Sequence, residues 1–499
     1  RRRLHPRLER LRSLGRVGRS DSVSRAGASP RSAGADLSAS RVATGGEAGV
    51  DETVGVRLAG AGVGLPDFAA LGGVHEARLD RSLIVISGFY REELIRRFGV
   101  NTSGIPFERK DGRLWMLART KQGISESFSS DKGATWTAAV ASSPALASRD
   151  ARRPGHYVLA APGTTGAFAA ARLLAAGVPL AWSTAARDVN GFHFDAGALI
   201  VPTSPQSEPV VTALAREFGV HVEQQPGSPP SHGITPIGRA RIGVFGPWFD
   251  NISEGWTRWL LDEYGLPYTT LRDSDIRGGS LRARVDAIVI ASAPVDRLIS
   301  GNSATAYPPE YAGGFGDTGL AALRAFVRDG GTLITLDQAS ELAIRLFDLP
   351  IRDAAKGQSD RFLCPGSLVR LRVDTAEPLA FGMSADTAAF FAFSSAFVID
   401  PSVQQADHGA VASREPAIPV GRIETIARYA EQDVLLSGYI EGEQVIASQS
   451  AVLRVQLGAG RVVLFGFEPH HRGQSLATFR LFLNALFTAP NAADDARGR

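Results

Sequence analysis

Three groups of residues in this chain could do chemistry, and each follows a short apolar run. The first is Asp337-Gln338, directly after Thr332–Leu336. A carboxylate at the end of a buried strand stands where open α/β sheets place their ligands. The second is Glu468-Pro469-His470-His471, after Arg461–Phe465. A carboxylate beside imidazoles suits proton transfer or metal ligation, although adjacent histidines project in different directions and seldom share an ion. The third is Trp248, Asp250, Asn251, Glu254 and Trp256, after Arg241–Phe245. If the three turns converge, Trp248, Asp250, Glu254, Trp256, Asp337, Gln338, Glu468 and His470 would line an aromatic and carboxylate pocket. Such a pocket could bind a sugar, a peptide or a partner loop. The plainer reading of these residues is packing against another domain. None is assigned a catalytic role, no metal ligands are assigned, and no cofactor is expected.

The stretch Ala321–Ser340 shows how such a turn is held. Leu323, Phe326 and Val327 fall on one helical face. Gly330 and Gly331 then stop the helix, because glycine accepts the left-handed conformation of a C-terminal cap. Thr332–Leu336 is a β-branched apolar run suited to a central parallel strand. Asp337–Ser340 follows as a polar turn into another helix. Whether that turn holds a nucleophile decides what chemistry is open to it.

Composition narrows the classes. The 499 residues suggest two to four units, and 44% hydrophobic content allows sizeable cores. A formal charge of +3 gives no case for nucleic-acid binding. The single cysteine, Cys364, rules out an intrachain disulfide framework and reads as a small buried residue. No apolar run reaches about 18 residues, so no membrane span is expected. The chain starts at Arg1, not methionine, and is expected to be a piece of a longer protein.

Four regions are expected. Residues 1–80 begin with a basic run and continue rich in Ser, Ala and Gly, without a sustained period, as in disordered segments. Residues 81–150 read as a β-rich segment, with Ser82–Tyr90 strand-like and a hairpin of Leu114–Arg119 and Ile124–Ser129. Residues 154–237 alternate strands and helices as a small α/β domain, with Pro226–Ile237 read as a linker. Residues 238–490 form an α/β domain of β-α-β-β-α-β-α order, a doubly wound flavodoxin-like sheet. Ser253 is a plausible helix N-cap there. Asp273, Asp275 and Arg277 could bridge ions or belong to an ordinary polar loop. Gly278-Gly279 is not a phosphate loop, since no G-x-x-x-x-G-K-[ST] pattern occurs.

The stretch Ser129-Ser130-Asp131-Lys132-Gly133-Ala134-Thr135-Trp136 fits the pattern S-x-D-x-G-x-T-W. Residues 107–139 resemble one Asp-box blade of the sialidase superfamily, in which this turn is structural and lies away from the active site. A propeller needs several blades, and no second such turn occurs. Arg119 could belong to such a family's arginine cluster, or be a surface arginine at a strand end.

The stretches RIGVFGPWFDNISEGWTRWLLDEYGLPYTTLRDSDIRGGSLRARVDAIVI, PPEYAGGFGDTGLAALRAFVRDGGTLITLDQASELAI and GRVVLFGFEPHHRGQSLATFRLFLNAL resemble the C-terminal region of bacterial zinc carboxypeptidases, the carboxypeptidase A-like metallopeptidases. The likeness runs from about Arg153 to Phe487, and the last domain also resembles the class I glutamine amidotransferases. The first resemblance implies a zinc peptidase domain elsewhere and a secreted or periplasmic location. None of the nine histidines has the H-x-x-E spacing of that zinc site. The second implies a Cys at the elbow and a His in an F-H-P-E-like stretch. Asp337 stands at the Cys position, and Phe467-Glu468-Pro469-His470 puts Glu where that His would be. The expected function is therefore a non-catalytic accessory region of a zinc carboxypeptidase-like protein. Its partner would be a peptidase domain outside this chain, another protein or peptide, or a carbohydrate. The alternatives are a sialidase-related hydrolase and a carbohydrate- or peptide-binding module.

Overall fold

A computed structural model describes residues 155–218, 220–402 and 418–489, preceded by four strand segments at 107–108, 114–120, 123–129 and 137–138. All of them fall in one compact unit, Glu76–Arg499. The four segments are β1 (Phe107–Glu108), β2 (Leu114–Thr120), β3 (Gly123–Ser129) and β4 (Thr137–Ala138). They pair antiparallel in chain order, so the hairpin expected at 114–129 is present as β2 and β3. Most of the Asp-box octapeptide, Ser82–Tyr90 and residues 1–80 lie outside the described residues.

A five-stranded sheet follows. It comprises β5 (Gly155–Leu159), β6 (Leu180–Ser183), β9 (Leu199–Pro202), β10 (Val222–Pro226) and β11 (Ile234–Ile237), with helices α1 (Gly163–Ala175) and α2 (Ser207–Phe218). Alternating strands and helices suggest parallel neighbours, yet every pair in the order β10-β5-β9-β6-β11 is antiparallel. A small hairpin, β7 (Arg187–Val189) and β8 (Phe192–Phe194), turns the chain back. β9 then slots between β5 and β6. Part of the expected linker is also structure, because Ile234–Ile237 is the edge strand paired with β6.

The large sheet has twelve strands. Its parallel half runs β13 (Tyr268–Leu271), β12 (Ile242–Phe245), β14 (Ala287–Ile290), β15 (Thr332–Leu336) and β23 (Gly460–Phe465). An antiparallel half continues from β23 through β22 (Ser450–Leu457), β20 (Val420–Tyr429), β17 (Ser367–Val373) and β18 (Asp386–Phe391). Three short strands, β16 (Ile351–Asp353), β19 (Phe397–Ile399) and β21 (Leu435–Ser437), pair off this path. All five residues of β15 are buried, as a strand covered on both faces requires. Alternate residues enter separate cores: Ile334 and Leu336 join α3 (Ile252–Glu263) and α9 (Leu476–Phe487), while Leu333 joins α7 (Gly316–Arg328) and α8 (Ser340–Leu346). Three shorter helices, α4 (Asp273–Arg277), α5 (Leu281–Arg284) and α6 (Val295–Ser300), lie between β13 and α7 in the chain.

The N-cap of α3 is Asn251, not Ser253. Asn251 is extended and its side chain accepts the Glu254 N–H at 3.0 Å. Ser253 is already in the first turn, buried, and its hydroxyl accepts the Ser292 N–H at 3.2 Å. That places a serine of α3 against the end of β14.

The small and large sheets share one core through α1 and α9. At that contact Arg480 is fully buried. Its Nε donates to the Phe381 carbonyl and its Nη1 to the Gly163 carbonyl, both at 2.9 Å. Gly163 N–H in turn donates to the Gly382 carbonyl at 2.7 Å. Gly382 has φ +77°, and a Cβ there would lie 2.5 Å from the Ala161 carbonyl oxygen and 2.8 Å from Arg480. Only glycine allows this approach.

Candidate functional site

The five parallel strands end side by side, and the turns after three of them meet. Asp337 follows β15 directly, with φ +50°. A non-glycine residue in that region is strained and is held only when its surroundings determine it. A sharp strand-to-helix turn of this kind is where hydrolases with a nucleophile elbow hold their nucleophile. Here the side chain is buried, and Oδ2 accepts from Ser292 Oγ at 2.8 Å. Oδ1 has no partner in hydrogen-bond geometry, although the Ser394 hydroxyl is close enough to act on the carboxyl. Burial, aided by the charge of Glu468, pushes the Asp337 carboxyl up to about 7 against the pull of Ser292 and Ser394. At neutral pH this carboxyl holds its proton about half the time.

Glu468, after β23, faces the same place. Burial raises its pKa, but His471, Ser253 and its other neighbours outweigh that and hold it below the usual range. His471 Nδ1 lies 3.3 Å from Glu468 Oε2, and the His471 ring stacks on Phe390 at 3.9 Å. Ser253, Ser292, Asp337, Glu468 and His471 therefore form one polar cluster: a carboxylate held low beside a carboxyl held high. Proton exchange between the two is the chemistry this pairing allows.

His470 points the other way. It is fully buried, with Nε2 2.8 Å from Thr257 Oγ1 and its ring edge-on to Phe482. Burial lowers its pKa to about 4, so it is neutral at physiological pH. The unfolded imidazole, near 6.5, takes up a proton that the folded one refuses. Stability should therefore fall as pH drops from about 6.5 towards 4. Changing His470→Gln should cost about 1 kcal/mol at neutral pH and flatten that acid limb. Thermal unfolding across the window checks both.

The other expected site residues are separated. Trp248 is partly exposed, with Arg272 3.9 Å above its ring and Tyr311 edge-on at 4.7 Å. Asp250 is exposed. Glu254 is paired with Arg258 on its own helix. Trp256 packs edge-on to Trp259 beside Gly473. Gln338 is exposed and lines a different cleft. Thus Asp337 and Glu468 come together, Trp256 borders their loop, and Trp248, Asp250, Glu254, Gln338 and the His470 ring do not join one pocket. Reading the sequence missed Ser253 as a partner, Ser292 and Ser394. Serines in turns carry no spacing signal.

Two other groups that could act as nucleophiles are occupied. Ser340 Oγ donates to the Phe465 carbonyl at 2.9 Å and fastens α8 to β23. Cys364 is buried with Sγ 3.8 Å from the Phe391 carbonyl oxygen, and burial raises its thiol pKa. Among the described residues, no three His, Cys, Asp or Glu side chains converge to hold a metal ion. The donor set of a catalytic zinc, three ligands around an open position, does not fit this part of the chain.

No protein-family model and no curated protein matches the chain. Several solved structures do. A β-galactosidase from Bacillus circulans sp. alkalophilus is 10% identical, over 53% of this chain and 32% of its own, with a TM-score of 0.30. PurLQS from Thermotoga maritima is 14% identical over 50% of this chain and 98% of its own, at 0.29. An exo-β-1,4-mannosidase from Opitutaceae bacterium strain TAV5 is 11% identical over 50% and 35%, at 0.26. The chain spans about a third of the two glycosidases. Likenesses at these TM-scores carry nothing about activity.

Proposed function

We propose that this chain is the non-catalytic accessory region of a zinc carboxypeptidase-like protein. Its large sheet is then a doubly wound, flavodoxin-like domain of the amidotransferase type that has lost its thiol chemistry. The observation that carries this reading is Asp337: the strained turn after β15 is kept, and a buried, hydrogen-bonded carboxyl fills it. The order β13-β12-β14-β15-β23 supports the fold, since numbering these strands along the chain gives 2-1-3-4-5. A buried carboxyl tied to Ser292 cannot stand in for a thiolate in acyl transfer. The occupied Ser340 and the buried Cys364 offer no replacement.

In this role the strand-end surface supports a neighbouring domain and does no chemistry on a substrate. The purified chain is expected to release no ammonia from glutamine and to carry less than about 0.1 zinc per molecule. Stoichiometric zinc by elemental analysis, or release of C-terminal residues from a test peptide, would contradict the reading.

A further inference from the structure

A cleft of about 460 Å³ opens beside Gln338 and Ser394. That volume falls in the range of small-molecule sites. Pro294–Asp296, Gln338, Glu341 and Arg345 contribute to the lining, and two stretches distant in sequence, 353–364 and Phe393–Ser395, form the other walls. They are fastened to one another before any ligand arrives. Asp353 Oδ1 accepts the N–H groups of both Ala355 and Ala396 at 2.9 Å. Ala354 N–H donates to the Ala396 carbonyl at 2.7 Å, and Phe393 N–H to the Cys364 carbonyl at 3.1 Å. Tyr429, buried behind them, donates to the Ser395 carbonyl at 2.8 Å.

Phe393 is anomalous twice over. It has φ +54°, a conformation that a bulky side chain rarely adopts, and its ring is 66% exposed. Neither packing nor burial rewards this arrangement in the chain alone. Strain of this kind gathers where a side chain is held ready for a ligand.

The walls also select the ligand's chemistry. Several backbone N–H groups in and beside the walls are already used: those of Ala354, Ala355, Leu363, Phe393, Ser395 and Ala396 donate within the chain. An extended peptide, which is held through a row of backbone bonds, would meet donors already used at Ala355, Leu363, Phe393 and Ser395. An anion is disfavoured too. Lys356 and Arg345 both pair with Glu341, and Asp296 and Asp353 add negative charge. What remains to recognise a ligand is the Gln338 amide, the Ser359 hydroxyl, the Asp296 carboxylate and the exposed Phe393 ring. Hydroxyl and amide partners beside an aromatic face suit an uncharged ring bearing many hydroxyls. We infer that this cleft binds a saccharide of one or two units, with Phe393 stacking against the sugar ring.

This inference goes beyond the accessory reading and does not depend on it. The test uses the whole chain with a panel of soluble sugars: glucose, N-acetylglucosamine, cellobiose and maltose. Saturation-transfer NMR should show contact to at least one sugar, with a Kd in the range of about 0.1–10 mM. Phe393→Gly removes the ring and relieves the backbone. It should weaken that binding at least about tenfold while unfolding at the same temperature as the parent or a higher one. Gln338→Ala, which leaves the backbone as it is, should weaken it as well. Absence of binding to every sugar of the panel at about 10 mM would overturn the inference. So would sugar binding that both variants leave unchanged, or binding at Phe393 of a short peptide in place of any sugar.

Discussion

Replacing Arg480→Met should lower stability by about 2–4 kcal/mol, although Arg480 lies far from any candidate chemistry. Methionine keeps the apolar stem and removes the guanidinium. The Gly163 carbonyl then loses the guanidinium donor, and the Phe381 carbonyl keeps the Asn484 amide. A hydrogen bond to a charged group is worth about 1.5–3 kcal/mol, and two are lost here. Arg480→Lys should not restore the loss, because one ammonium cannot replace a planar fork reaching two carbonyls. Urea unfolding measures the change. A loss of stability accompanied by earlier release of the small sheet would fit the position of Arg480 between α1 and α9. A change below about 0.5 kcal/mol would mean that the contact between the two sheets rests on the apolar core alone.

The second large effect has the opposite sign. Asp337→Asn should stabilise the protein at about pH 8 by roughly 2–4 kcal/mol and do little at about pH 4. The unfolded carboxyl titrates near 3.9 and the folded one at about 7. Between those values the native state holds a proton that the unfolded state has released. Stability therefore falls as pH rises from about 4 to about 7, and the full penalty applies above that window. Asparagine carries no charge to bury and tolerates the left-handed backbone better than most residues. This trend opposes that of His470, whose contribution to stability grows as pH rises over nearly the same range. The two variants measured together separate the terms.

Much of the scaffold could be read from residues in order. Thr332–Leu336 is the central strand because its five residues are apolar or β-branched and find cover on both faces. The elbow position of Asp337 followed from that strand and the turn after it. What could not be read depends on pairing between distant segments. Ile234–Ile237 sits in a stretch rich in Pro, Gly and Ser, and it becomes a strand only because β6 offers an open edge. Val420–Tyr429 carries charged residues along its length and is a strand by virtue of its partners β22 and β17. The proposed pocket was read too widely for a similar reason. Trp248 and Glu254 are close to Asp250 in sequence, yet Arg272 and Arg258 draw their side chains elsewhere. Asp337 and Glu468 meet because β15 and β23 are neighbours in the sheet. The cleft at Phe393 had no sequence signature, since its lining joins turns without periodicity to single residues of α6 and α8.

The most direct test of the elbow as a filled, non-nucleophilic turn is the ionisation of Asp337 itself. Carbon-13 NMR of the side-chain carboxyl can follow it against pH, with Asp337→Asn assigning the resonance. The expected result is titration at about 7, a carboxyl still largely protonated at about pH 6. Titration near 4, as for a carboxylate open to solvent, would contradict it and return the turn after β15 to the residues available for chemistry.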